Sequence, residues 1–405
     1  MEHTYQGGLA GFWTPRRQRL YPMAVLIGLV LGFSIFVLTT QGLTSVLGGR
    51  MGGDFPAFYA AGRLAASPHP ERLYDPAAQQ DAQRDLIPGA PNGWIPFAYP
   101  PHVATLYRPL AALPFRAAYV LHTLLMAAFC LAAVRLLLRN TETSNRWLFY
   151  AAIAMTFYPM LTGILGGQNT ALSFFCSAAT IAALRRQRHF EAGVWLGVWL
   201  FKPQLALMVT LLLVVAGQRR VLGGLAVAAC ALYAAGAMIG GPGWPVWWYH
   251  EGVRPFIAVD FLVNSVNAIS LRETALRLDA ASLAIPLVLL AVLLATSAIR
   301  YFRLKPDAVV GGATATAVLV SPHALYYDGG LALVGLIGAD ARRPHPSWIL
   351  IPWLLSCAQL ANALTPVSMT TLILIGAAIS AFVPSRESRS TAVASLVPEV
   401  RPTSA

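Results

Sequence analysis

Asp54 follows two glycines and precedes a run of aromatic and small residues, Gly52-Gly53-Asp54-Phe55-Pro56-Ala57-Phe58-Tyr59-Ala60-Ala61-Gly62. The glycines let the backbone turn tightly. A half-buried carboxylate delivered by such a turn can accept a proton from a hydroxyl nucleophile, as glycosyl transfer requires. The same placement also suits a helix N-cap. Lys202, one of only two lysines in the chain, interrupts the apolar run 193–215. A charge at membrane depth costs roughly 2.5–3.5 kcal/mol on insertion scales and is normally kept for a partner. In Lys202-Pro203-Gln204, at a broken helix, an ammonium and helix-end amides suit a lipid phosphate, while the other reading is snorkelling to the surface. His323 sits in Ser321-Pro322-His323, a second break, ahead of Tyr326, Tyr327 and Asp328. On one continuous helix His323 and Asp328 would point about 140° apart, so the spacing implies no intimate His–Asp pair.

Weaker signals accompany these. Gly166-Gly167-Gln168-Asn169 offers side-chain amides suited to sugar hydroxyls, or a tight turn capped by Asn169. Leu73-Tyr74-Asp75 precedes a polar helix. Phe97-Ala98-Tyr99-Pro100-Pro101-His102 and Arg108-Pro109 carry aromatics for a sugar or an acyl chain and a guanidinium for a phosphate. The prolines equally serve to end and aim interfacial helices. A loop over 241–280 holds Trp244, Trp247, Trp248, His250 and Glu251, followed by Asn264-Ser265-Val266-Asn267. Its tryptophans fit a membrane interface or sugar stacking.

The elements that must position these residues are set by composition. Of 405 residues, 57% are hydrophobic and 11% charged, against about 25% charged in soluble domains. That excludes an ordinary soluble enzyme and points to an all-α polytopic membrane protein. The net charge of +12 comes from short basic clusters between apolar runs, the signature of membrane orientation rather than of nucleic-acid binding. Apolar runs at 22–40, 117–138, 147–165, 168–184, 190–201, 204–216, 221–240, 282–299, 308–320, 324–339, 347–363 and 367–383 suggest about twelve spans. The first, lacking a small-residue cleavage site, reads as a retained span. Arg16, Arg17 and Arg19 hold the N-terminus in the cytoplasm, and every short basic loop, including Arg342 and Arg343, then falls on the same side. Residues 41–116 and 241–280 become the large external loops, within a single transmembrane domain over 1–383. The Ser/Arg/Pro-rich tail 384–405 is expected to be disordered and cytoplasmic. Runs 190–201, 204–216 and 308–320 are too short to cross about 30 Å of hydrocarbon. Because irregular backbone at that depth must line protein or water, they imply a cavity near Lys202 and His323. The four cysteines, Cys130, Cys176, Cys230 and Cys357, lie in apolar runs without ligand-like spacing, so no disulfide or metal cluster is expected.

Taken in order, these motifs resemble bacterial glycosyltransferase family 87, the DUF2029 family of polyprenyl-phosphate-mannose-dependent α-mannosyltransferases. The resemblance rests on Gly53-Asp54-Phe55 with Tyr59 and Gly62, Leu73-Tyr74-Asp75, Phe97 with Tyr99-Pro100-Pro101, Gly167-Gln168-Asn169, Gly193 and Gly197 leading to Lys202-Pro203-Gln204, and Ser321-Pro322-His323. It implies a GT-C bundle whose first external loop holds a catalytic Asp over a cavity. It also implies a polyprenyl-phosphate-sugar donor, a glycolipid or glycan acceptor, and transfer on the external face of the plasma membrane without metal or cofactor. Carried over, Asp54 is the general base and His323 a catalytic partner that, with Lys202, meets the donor phosphate. Gln168, Asn169, Tyr59, Tyr99, Arg108 and Asn267 complete the expected substrate contacts. The loops carry no Asp-x-Asp motif, consistent with a lipid-phosphate leaving group. A different reading is a transporter or lipid flippase using Lys202, His323 and Asp328 as an intramembrane relay. Convergence of Asp54, Lys202 and His323 in one cavity favours the transferase, and spread along a through-path favours transport.

Overall fold

The computed structural model describes residues 15–40, 43, 50–87, 94–139, 141, 143–341 and 348–383. The expectations for the tail 384–405 and for Arg342 and Arg343 lie outside them. Most of the described residues are helical, and none forms a strand; an isolated bridge pairs Ala268 with Leu325.

The chain opens with α1 (Pro15–Thr39) and enters the first long loop, which folds into α2 (Phe55–Ala65), α3 (Pro76–Gln83) and α4 (Pro101–Ala111). Asp75 starts α3 by accepting from the amides of Ala77 and Ala78 at 2.8 and 3.1 Å, with Pro76 at the first turn, where its missing N–H costs nothing. Two buried glutamines then do the work of a neighbouring strand. Gln79 accepts from the Phe97 amide at 2.9 Å and Gln83 from the Ile95 amide at 3.0 Å, which fixes the extended segment leading to Tyr99. Phe55, Phe58, Tyr59, Phe97, Tyr107 and Phe115 close around this segment as an aromatic core. Buried aromatics are the largest single source of burial energy available to so short a segment.

The rest is a bundle. α5 (Phe115–Leu138) is followed by α6 (Trp147–Thr156) and α7 (Tyr158–Leu165), a pair bent by 68° at their junction. Next come α8 (Thr170–Arg185), α9 (His189–Val198), α10 (Pro203–Val215) and α11 (Val221–Gly240). α9 and α11 cross at Gly193 and Gly224, where an added Cβ would lie 1.9 Å from the carbonyl oxygen of Val221 or of Phe190. Only glycine permits that approach. The stretch expected as an external loop, 241–280, is itself helical, with α12 (Arg254–Asn264) and α13 (Leu271–Arg277). α14 (Ala284–Phe302), α15 (Pro306–Val320), α16 (Ala332–Asp340), α17 (Leu350–Ser356) and α18 (Met369–Phe382) complete the chain. α15 lies at the centre, buried from Ala308 to Leu319.

Among the described residues, four segments are long and apolar enough to cross a membrane: Arg19–Thr39, Phe115–Leu138, Val221–Gly240 and Ala281–Phe302, with the bent α6–α7 pair as a fifth if taken as one span. Helix length therefore does not carry the count of about twelve. Runs read as spans at 168–184, 204–216, 308–320, 347–363 and 367–383 form shorter helices, and 190–201 and 324–339 are divided between α-helix and 3-10 turns. The cause is the breaks. Lys202, at φ −123° and ψ 76°, separates α9 and its terminal 3-10 turn from α10, and Ser321-Pro322-His323 ends α15.

Candidate functional site

Both breaks face one cavity of about 480 Å³, and the first loop supplies its other wall. That wall begins with two interlocked glycine pairs. Gly53 is left-handed (φ 52°), and a Cβ on it would stand 2.7 Å from the Gly166 carbonyl oxygen; Gly167 is also left-handed (φ 72°), and a Cβ there would stand 2.4 Å from Cβ of Phe55. The Asp54 amide donates to the Gly166 carbonyl at 2.9 Å. Glycine thus meets a conformational and a steric demand at once.

The clasp sets Asp54 against Gln168, whose Nε2 donates to Asp54 Oδ2 at 2.6 Å. The other end of the amide faces Tyr99, whose hydroxyl lies 3.4 Å from both Gln168 Oε1 and Asn169 Oδ1. Tyr99 is tied in turn by Tyr74, which donates to its carbonyl at 2.6 Å. Asp54 precedes α2 but makes no side-chain capping bond, so the capping reading gives way. Its carboxyl is held above the ordinary value of 3.8, because burial outweighs the Gln168 hydrogen bond and the positive charge of Arg50 and His323. A carboxylate in that state is a stronger base than a solvated one.

Across the cavity, the Lys202 ammonium is ion-paired with Asp328 Oδ1. The two residues are 5% and 4% exposed, which rules out snorkelling. Asp328 Oδ2 also accepts from the Leu325 amide at 3.4 Å, and the ammonium stands 5.7 Å from the centre of the Tyr327 ring. His323 lines the same cavity and meets Phe256 edge-on, with centroids 4.9 Å apart. No continuous helix joins His323 to Asp328, so the expected angular argument applies to neither; the aspartate turns to the lysine instead.

The structure brings together Asp54, Gln168, Tyr99, Lys202, His323 and Asp328. It does not bring Tyr59, Arg108 or Asn267 to them. Tyr59 is 1% exposed and donates to the Leu113 carbonyl at 2.7 Å, because α2 turns that face into the aromatic core. Arg108 lies on the exposed side of α4, and Asn267 is exposed in a 3-10 turn while Asn264 reaches the cavity. Asn169 is buried behind Tyr99. Of the tryptophans, Trp248 lines the cavity and donates to the Ala98 carbonyl at 2.9 Å. Trp247 packs on Tyr74 at 4.7 Å, and Trp244 is buried and donates to the Tyr233 carbonyl at 3.0 Å. They join the 241–280 segment to the first loop. The sequence reading grouped Lys202 with Asp328 only in the transport relay and did not anticipate their ion pair in the transferase cavity, although a buried lysine in so apolar a chain signals a nearby carboxylate.

Long apolar helices elsewhere in the bundle and a cavity with a basic carboxylate on one wall and an ion pair on the other define a membrane protein equipped for chemistry on a polar group. The model of glycosyltransferase family 87 matches residues 97–322. That is more than half of the 405 residues, and the chain belongs to this family: it is a membrane glycosyltransferase. The matched stretch contains Tyr99, Gln168 and Lys202, while Asp54 precedes it and His323 follows directly. No curated protein and no solved structure matches the chain.

Proposed function

We propose that the protein transfers a mannosyl residue from a polyprenyl-phosphate sugar to a glycolipid or glycan of the cell envelope, by inverting displacement in the cavity of Asp54. The observation that carries the reading is convergence: the carboxylate, its amide partner, the lysine and the histidine face a single cavity. Convergence also weighs against the transporter reading, which needs a through-path.

The acceptor hydroxyl gives its proton to the free Asp54 oxygen as its own oxygen bonds to the anomeric carbon. The bond from that carbon to the phosphate oxygen breaks, and polyprenyl phosphate leaves with the electron pair. A β-linked donor gives an α-linked product. Gln168 holds one Asp54 oxygen, so the other points at the acceptor, and alignment of this kind replaces much of the entropy of a two-body encounter. His323 and the Lys202 ammonium supply positive charge where charge builds on the phosphate. Asp328 offsets part of the lysine charge and fixes its direction. This mechanism asks for no metal. The proposal extends to a GT-C bundle in the plasma membrane, with both termini cytoplasmic and the cavity external.

Membranes containing the protein, given radiolabelled polyprenyl-phosphate-mannose, should label lipid extracts, and Asp54→Asn should abolish labelling while folding normally. Equal labelling by both proteins would place the base elsewhere. Absence of labelling by wild type would overturn the donor.

A further inference from the structure

Six tyrosines are buried among the described residues. Five of them, Tyr59, Tyr74, Tyr107, Tyr119 and Tyr150, spend the hydroxyl on a carbonyl, a carboxylate or a histidine nitrogen at 2.6–3.0 Å. The sixth, Tyr327, is 8% exposed and lines the Asp54 cavity, yet its hydroxyl has no hydrogen-bond partner among the described residues. That oxygen is not sealed in the core either, since the buried polar atoms without a partner belong to other side chains. It opens on the cavity. A side chain that is otherwise buried and keeps one unspent donor at a cavity wall carries a desolvation cost that a ligand can remove.

Tyr327 stands in the 3-10 turn Tyr326–Leu331, directly before Asp328. Its ring packs on Ala268 and Leu325 and lies 5.7 Å from the Lys202 ammonium, on the wall given to the phosphate. The charge acting most strongly on its hydroxyl is nevertheless that of Asp54, ahead of that of Asp328 beside it in sequence. Coulomb interaction falls with distance, so the hydroxyl reaches from the phosphate wall towards the base.

That interval belongs to the reacting end of the sugar. With the base on one side of the anomeric carbon and the leaving phosphate on the other, two further oxygens lie next to that carbon: the ring oxygen and the 2-hydroxyl. The ring oxygen shares positive charge as the glycosidic bond breaks and is no partner for a proton donor. The 2-hydroxyl is one, and a hydrogen bond to it strengthens in an oxocarbenium-like transition state. We infer that the Tyr327 hydroxyl donates to the 2-hydroxyl of the donor sugar and makes the enzyme selective for sugars that carry one. The inference rests on the proposed donor and on Asp54 as base, and adds to them a residue that reads the sugar.

The test uses the full chain in nanodiscs and three probes: farnesyl-phosphate-mannose, its 2-deoxy analogue and farnesyl phosphate. Tyr327→Phe keeps the ring beside Lys202 and loses no hydrogen bond within the protein, so its melting temperature should equal or exceed that of wild type. The Kd of farnesyl-phosphate-mannose should rise about 3- to 10-fold, while those of the 2-deoxy analogue and of farnesyl phosphate stay the same. In transfer assays kcat/KM for the mannosyl probe should fall about 10- to 100-fold, and the 2-deoxy donor should serve variant and wild type equally. Equal weakening of farnesyl phosphate would assign the hydroxyl to the phosphate and overturn the inference. So would a loss with the 2-deoxy analogue as large as with mannose, unchanged binding and turnover of all three, or a lower melting temperature. Binding that depends on both Tyr327 and the 2-hydroxyl, in a wild type that transfers nothing, would uphold the contact and refute the transfer reading. Undiminished transfer by Asp54→Asn with that dependence intact would uphold the contact and move the base. A wild type that binds the mannosyl probe no more tightly than farnesyl phosphate would overturn both the contact and the donor.

Discussion

Two carboxylates face the same cavity from regions built on opposite principles. Asp54 stands on the first loop, held by backbone geometry and a neutral amide. Asp328 stands in the bundle, held by a buried ammonium. An amide partner leaves Asp54 raised by burial and able to take up a proton. An ammonium partner makes Asp328 the counter-charge that holds Lys202 at the cavity wall. The proposed mechanism divides acid–base work and charge placement between two aspartates with partners of different character, and this division can be broken one side at a time.

The largest effect is expected on the first-loop side. Asp54→Asn keeps a hydrogen-bonding group of the same size and removes the basic oxygen. kcat should fall by about 10²–10⁴-fold, the usual contribution of a general base, with little change in thermal unfolding. Asp328→Asn should do the reverse in kind. It leaves Lys202 buried without its counter-charge, and breaking such a pair costs about 3–5 kcal/mol. Calorimetry or detergent-stability assays should show that loss, and the double variant Lys202→Met with Asp328→Leu should recover most of it without recovering activity. Recovery of activity in the double variant would remove the lysine from the chemistry.

A smaller effect tests the amide. Gln168→Leu removes the hydrogen bond that lowers the Asp54 pKa, so the carboxyl rises further. The base works only when ionised, and activity is lost as pH falls through that pKa. The acid limb of the kcat/KM profile should therefore move to higher pH in the variant. A shift to lower pH, or no shift, would mean that Asp54 is not the titrating base.

The two regions also differed in how far the sequence disclosed them. The breaks at Lys202 and at Ser321-Pro322-His323 could be read directly, since proline and polar residues inside short apolar runs are local signals. Asp54 and Gln168 were each visible as glycine-preceded polar residues, but their contact across 114 positions was not. The Lys202–Asp328 pair spans 126 positions, and the sequence offered a lipid phosphate as an equally good partner. Helix length supports fewer spans than the hydropathy count for a related reason. Hydropathy records that a run is apolar but not where 3-10 turns divide it, so runs already too short to cross alone were still counted among the twelve. Of the first-loop tyrosines expected at the substrate, Tyr99 lines the cavity and Tyr59 lies in the core, because ring chemistry alone does not separate a sugar platform from a core.

Tyr59 makes that last distinction testable with the smallest change. As a substrate contact, its hydroxyl would face the cavity, and Tyr59→Phe would raise the donor KM. In the structure the hydroxyl donates to the Leu113 carbonyl at 2.7 Å and receives a hydrogen bond from Arg63 at 3.1 Å, inside the core that joins α2 to the start of α5. Removing it should cost about 1 kcal/mol of stability, the net value of the buried bond to Leu113, since the exposed Arg63 can turn to water instead. KM and kcat should be unchanged at temperatures well below unfolding. The phenyl ring keeps its edge-on packing against Phe115, with centroids 5.2 Å apart, so no cavity opens and the loss stays that small. A KM effect without a stability effect would mean that α2 presents Tyr59 to the substrate, and the first loop would then contribute more than Asp54 to the site.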